Sequence, residues 1–161
     1  MKHRTLCLLT AALLLAGCAV RPPHPGTTQD EVLRNWGAPS GRYALPDGNQ
    51  RLEYATGPYG RTTWMVDVDR NGRVTQARQV LNEAEFQQVQ AATLLRRDQL
   101  LRWLGRPGER RHGGWQGGEV WSWRYPTNDC LWFQSSLADD GRVSGSAYAI
   151  DPRCDPPNMR N

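Results

Sequence analysis

The sequence predicts an α+β protein of two tandem repeats, each of short helices packed on a three-stranded antiparallel sheet. Three observations carry this. Helical apolar periodicity stops at Gly37-Ala38-Pro39 and again at Gly105-Arg106-Pro107. Alternating apolar segments bounded by turn residues follow each stop. The same signals recur in the same order at a nearly constant offset, as a tandem duplication would leave them.

The chain opens with a segment that is not part of that fold. Lys2, His3 and Arg4 form a basic start, and residues 6–16 form an apolar stretch with the dimensions of a secretory h-region. It is too short to span a bilayer, which takes roughly 20 apolar residues. Leu15-Ala16-Gly17-Cys18 resembles a bacterial lipobox. The resemblance implies cleavage after Gly17, removal of residues 1–17, and a diacylglyceryl group on the Cys18 sulfur. Stable anchoring takes about two acyl chains, which such a cysteine carries. Ala19-Val20 follows, with no aspartate to match the inner-membrane retention pattern, so the periplasmic leaflet of the outer membrane is the expected location.

Residues 18–25 include Arg21-Pro22-Pro23-His24-Pro25, a stiff polyproline-like tether. The first repeat, residues 26–95, begins with Thr28-Gln29-Asp30-Glu31, a capping-box pattern, followed by Val32, Leu33 and Trp36 on one helical face and Gly37 as the C-cap. Residues 51–56, 62–69 and 73–81 alternate as strands, placing Leu52, Tyr54, Trp64, Val66, Val68 and Val74 on one sheet face; Asn71-Gly72 is a hairpin turn. Asn82 caps a further helix with Phe86, Val89, Thr93 and Leu94 on one face, linking the repeats or completing the first.

The second repeat, residues 96–154, restates these parts. Leu100, Leu101 and Leu104 precede Gly105-Arg106-Pro107, Trp121 and Trp123 stand where the first copy has Leu52 and Tyr54, and Asp140-Gly141-Arg142-Val143 matches Asn71-Gly72-Arg73-Val74. Residues 155–161 lack periodicity and are expected to be disordered.

Loss of Lys2 and Arg4 lowers the formal charge from +4 by two, to +2, and the remaining arginines are interspersed with acids, which is no nucleic-acid footprint. Of the four cysteines, Cys7 leaves with the leader and Cys18 is assigned to lipid. Cys130 and Cys154 remain, and in an oxidising periplasm they most simply pair. The competing metal site with His24 or His112 lacks ligand spacing.

No catalytic constellation emerges, so the chain reads as a non-enzyme with no cofactor, no metal and no small-molecule substrate. Ser122, Ser135 and Ser136 lie in no nucleophile-elbow context, Asp139-Asp140 reads as a turn, and the Gly-rich run around Trp115 lacks the lysine and helix of a phosphate loop. Seven tryptophans offer aromatic surface instead. Most, Trp64, Trp121 and Trp123 among them, are expected in the core. Trp132 falls on the opposite strand face and Trp115 in a loop, so Trp115, Trp132, Arg124 and Arg61 form the candidate protein interface; the alternative for Trp132 is that it packs under a loop or the Cys130 bridge.

The run Gly26-Thr27-Thr28-Gln29-Asp30-Glu31-Val32, then Gly37-Ala38-Pro39, Tyr54 and Asp69-Arg70-Asn71-Gly72-Arg73-Val74 resembles the SmpA/OmlA, or BamE-like, outer-membrane lipoprotein domain. The second copy has Arg96-Arg97-Asp98 where the first has its Gly-Thr-Thr opening. A tandem of such units is also similar in fold to beta-lactamase inhibitory proteins. The resemblance implies a protein-binding role in envelope integrity or outer-membrane protein assembly, with a periplasmic or outer-membrane protein as partner. The alternative is an inhibitor or specificity module gripping a periplasmic enzyme through a concave sheet surface.

Overall fold

A computed structural model describes residues 21–113 and 117–154. The leader, Cys18, Trp115 and the tail 155–161 lie outside the described residues. The chain is α+β, running α1 (Gln29–Trp36), β1 (Gly41–Ala44), β2 (Gln50–Ala55), β3 (Thr63–Val68), β4 (Val74–Gln79), α2 (Glu83–Ala91), α3 (Arg97–Leu104), β5 (Glu109–His112), β6 (Glu119–Arg124), β7 (Leu131–Leu137) and β8 (Val143–Ile150), then a short 3-10 turn (Pro152–Cys154).

The strands form two antiparallel sheets, β1-β2-β3-β4 and β5-β6-β7-β8. Each is four-stranded, not three-stranded as expected. The extra members are the short edge strands β1 and β5, whose polar sequences Gly-Arg-Tyr-Ala and Glu-Arg-Arg-His show little apolar alternation. Arginines on an edge also discourage pairing with other chains.

Local rules set the helix ends. The Thr28 hydroxyl accepts the Glu31 N–H at 3.2 Å, and Gly37 ends α1 with φ 77°, its N–H bonded to the Leu33 carbonyl. Gly105 ends α3 in the same way with φ 78°. Arginine is a poor N-cap, so at the start of α3 the Gln99 side chain reaches back to the Arg96 N–H at 2.9 Å. In both halves the helix start is stitched to the last hairpin, through an isolated bridge Thr28–Arg73 in one and Arg96–Arg142 in the other.

Two apolar clusters result. Val32 of α1 meets Leu52, Val66, Val68 and Val74 on one face of the first sheet, with Trp36 and Tyr54 half-buried at its margin. The larger cluster joins Met65 from the opposite face of β3 to Phe86 and Val89 of α2, Leu100 and Leu104 of α3, and Trp121, Trp123, Phe133 and Leu137 of the second sheet. Phe86 stacks on Phe133 with centroids 4.2 Å apart and meets Tyr125 edge-on at 5.2 Å. Helix α2 therefore packs on the second sheet, although it lies within the first predicted repeat. Its expected apolar face is shorter than read: the helix ends at Ala91, and Leu94 is 85% exposed with φ 58°.

Polar groups join the halves across this core. Arg51 forms a two-pronged pair with Asp67, directly opposite on β3, at 2.6 and 2.7 Å, and donates to the Arg102 carbonyl at the end of α3. Glu85 of α2 accepts from Arg78 of β4 and from the Trp103 indole of α3.

Candidate interaction surface

The outer face of the second sheet carries the residues singled out as an interface. On β6 the alternation sends Trp121 and Trp123 inward and Arg124 outward; on β7 it sends Phe133 inward and Trp132 outward, in phase with Gln134. Arg124 and Trp132 are register partners, so the guanidinium lies 5.0 Å over the indole. Arg111 of β5 approaches the same ring at 5.7 Å. Cation–π contacts of this kind contribute roughly 0.5–2 kcal/mol each, more when desolvated.

Neither partner is open to solvent. Trp132 is 1% and Arg124 7% exposed. Arg124 donates to both Asp151 oxygens, at 2.5 and 2.8 Å, and to the Pro58 carbonyl at 3.2 Å. Burial opposes ionisation of Asp151, but the Arg124 guanidinium and the Arg153 N–H outweigh it and hold this carboxyl below its ordinary range. The Asp151 hydrogen bonds keep the Arg124 guanidinium protonated against the cost of burial. Trp132 and Arg124 thus offer no free contact surface, and of the two readings of Trp132 the packed one holds: Arg111 and Arg124 lie over the indole, while the loop between β2 and β3 and the end of the chain meet Arg124. Solitary strand phase assigns a face, not what lies on it.

What lies on top of Arg124 is Tyr59, 68% exposed, with the Arg153 guanidinium 4.3 Å and the Arg124 guanidinium 5.9 Å from its ring centre. Arg61 stands beside it and donates to the Thr127 carbonyl at 3.4 Å. Tyr59, Arg61, Arg124, Asp151, Arg153 and Cys154 line one open cleft. Of the predicted set, Arg61, Arg124 and Trp132 are therefore brought together, while Trp115 lies outside the described residues. Tyr59 and Arg153 were missed, since a loop aromatic and a tail arginine carry no periodic signal.

A disulfide joins Cys130 to Cys154, with Cα atoms 5.9 Å apart, and fixes the turn that presents Asp151 and Arg153. The Asp151 N–H donates to the Cys130 carbonyl and the Cys154 N–H to the Asp151 carbonyl, each at 2.9 Å. Three arginines against one carboxylate leave the cleft positive. Exposed guanidinium groups next to an aromatic ring suit carboxylates, which they engage by charge-assisted, often two-pronged hydrogen bonds.

Both acids of the second hairpin are already engaged, Asp140 within its own turn and Asp139 with the segment before β6. Asp139 accepts the Gly118 N–H at 2.9 Å, and Asp140 binds the Arg142 N–H and guanidinium. The aromatic inventory also differs from expectation on the first sheet: Trp64 is half-buried, meeting Trp36 edge-on at 6.0 Å rather than joining the core. The chain matches no family model, no curated protein and no solved structure.

Proposed function

We propose that this chain is a lipid-anchored, protein-binding module of the periplasmic leaflet of the outer membrane, serving envelope integrity or assisting outer-membrane protein assembly. The carrying observation is the positive crown of Tyr59, Arg61 and Arg153, held on the buried Arg124–Asp151 pair and the Cys130–Cys154 bond. It is preorganised, so a partner would not bear the cost of ordering it. The lipobox-like Leu15-Ala16-Gly17-Cys18 supplies the anchor in this proposal.

We also read the two halves as a tandem of BamE-like units. Support comes from the shared order of one helix and four strands, the matching helix-to-hairpin bridges, and the twin glycine caps at φ 77° and 78°. A protein partner would present acidic side chains to the crown.

The test is photo-crosslinking in intact cells from Tyr59 and Arg61, with partners identified by mass spectrometry. The wild type is compared with Cys18→Ala carrying a cleavable soluble signal. Outer-membrane barrel or assembly proteins recovered only with Cys18 intact support the proposal. Equal recovery of one soluble periplasmic enzyme from both forms overturns it in favour of an inhibitor.

A further inference from the structure

A second surface lies on the first sheet. Trp36 at the end of α1, Tyr54 of β2 and Trp64 of β3 surround an open groove of about 480 Å³ whose remaining walls are Asn35, Ala38, Ser40, Ala55, Thr56 and Thr62. Trp36 stands edge-on to Tyr54 at 5.1 Å and to Trp64 at 6.0 Å, and all three rings are half-buried. The cause is the length of α1. Gly37 and Pro39 stop the helix at Trp36, so it covers Leu52, Val66 and Val68 but leaves the Tyr54–Trp64 end of the strands with one indole for a roof.

The groove's lining contains no charged side chain. Cations stand near: Arg42, whose charge bears on the Tyr54 phenol, and Arg21, which lines the adjoining depression with Asn35 and Trp36. The N-terminal tether leads to the same place. Arg21, Pro22, Pro23 and His24 line a depression together with Glu31, Val32, Asn35 and Trp36, and Asn35 and Trp36 are also walls of the aromatic groove. Pro22 and Pro23 are half-buried, so the tether lies against α1. Cys18 stands three positions before Arg21, a separation of at most about 11 Å even in a fully extended chain.

We infer that the Trp36–Tyr54–Trp64 groove is a lipid-docking surface, seated on the bilayer to which Cys18 is attached, with the rings at headgroup depth. The inference rests on acylation of Cys18. Indole and phenol rings partition to the membrane–water interface because one side is apolar and the other can hydrogen-bond, and nearby arginines suit phosphate headgroups. The anchor then does more than restrain the protein: it sets the first sheet's aromatic end on the membrane and fixes the orientation of the whole fold.

The experiment uses the full-length protein purified from membranes and placed in phosphatidylethanolamine/phosphatidylglycerol vesicles, with and without bromine on the acyl chains. Mass spectrometry first establishes whether Cys18 carries acyl chains. If it does not, the anchoring proposal itself fails. With acylation established, brominated lipid should quench tryptophan emission, and the double variant Trp36→Phe/Trp64→Phe should lose more than half of that quenching while Trp132→Phe keeps it. No quenching with Cys18 acylated, or quenching unchanged in the double variant, overturns the inference alone. A nitroxide on Asn35→Cys, whose wild-type residue is exposed, gives a second reading should the double variant fold poorly: headgroup depth supports docking, and full water exposure overturns it. Concentration-dependent self-association that buries Trp36 without lipid quenching would assign the groove to a second copy instead.

Discussion

Glu53 of β2 and Arg106, just past α3, are joined by a hydrogen bond from the Arg106 N–H to the Glu53 carboxylate at 3.0 Å, across the seam between the two sheets. Glu53 is wholly buried, and its other oxygen accepts the Tyr43 hydroxyl at 2.5 Å. Burial and that hydrogen bond push the Tyr43 phenol well above its ordinary range, so at neutral pH it is a donor. The carboxylate serves two donors, one from each half.

Glu53→Ala takes the acceptor from both the half-buried Tyr43 hydroxyl and the main-chain N–H of Arg106, a residue that is itself exposed. Water can reach part of this pair, so the expected loss in urea unfolding is about 1–3 kcal/mol, the cost of one unsatisfied group and not of two. Glu53→Gln keeps an oxygen for Arg106 and an amide that can donate to the Tyr43 oxygen, so its loss should be less than half as large. Equal losses would show that charge, not hydrogen-bond count, makes the joint.

The twin caps allow a matched comparison. Gly37 and Gly105 have φ 77° and 78° with ψ −162° and −169°, a region open essentially to glycine alone, so alanine meets the same backbone strain at each, about 1–3 kcal/mol. Space differs. A methyl at Gly37 meets nothing within 4 Å, whereas at Gly105 it meets Glu53 Oε1 at 2.9 Å and Thr63 Cγ2 at 3.0 Å. Gly105→Ala should therefore lower the melting temperature more than Gly37→Ala, by roughly a further 2–4 °C per additional kcal/mol. Equal melting points would remove Gly105 from the joint.

The parts legible in the sequence were those fixed by neighbouring residues: Thr28 and Asn82 as caps, Gly37 and Gly105 as stops, Asn71-Gly72 as a turn, and the phase of Trp132 against Phe133. The Cys130–Cys154 pairing was legible by count. Long-range covering was not. β1 and β5 are polar edge strands that exist because β2 and β6 offer them a ladder. Phe86 reads as part of the first repeat but finds its stacking partner in Phe133, and nothing near Trp132 in sequence announces that Arg111 and Arg124 lie over its ring. Trp64 has the same strand phase as Val66, yet only the truncation of α1 at Trp36 decides that one is half-open and the other sealed.

Trp123 and Trp132 are both 1% exposed but differ in one bond. Trp123 Nε1 donates to the Gly105 carbonyl at 3.1 Å, while Trp132 Nε1 has no partner among the described residues. Trp132→Phe removes an unsatisfied donor as well as volume and keeps an aromatic face for Arg111 and Arg124, so it should cost less than Trp123→Phe. Trp123→Phe orphans the carbonyl that ends α3 and should cost about 1–2 kcal/mol more. Thermal and urea unfolding of both variants would read the difference, and a Trp132→Phe loss matching that of Trp123→Phe would deny it.

Acid should weaken the fold through Asp151. Its carboxyl is held below the ordinary range in the fold, so the stabilisation it gives is fully present above its unfolded value near pH 4 and is lost as pH falls through the lower folded value. Asp151→Asn should flatten that part of the stability profile. At neutral pH it should cost about 3 kcal/mol, the low end for an orphaned buried charge, because Arg124 keeps the Pro58 carbonyl and has Glu109 at 4.0 Å. The Cys130–Cys154 bond closes the loop that delivers this carboxylate, and removing it by Cys130→Ala/Cys154→Ala should cost about 3–4 kcal/mol in the chain-entropy model. If the bond also holds Asp151 against Arg124, the two losses overlap. A combined variant should then be more stable than the sum of the separate losses implies, by at least about 0.5 kcal/mol in a double-mutant cycle. Strict additivity would mean that the disulfide restrains the chain end without positioning the ion pair.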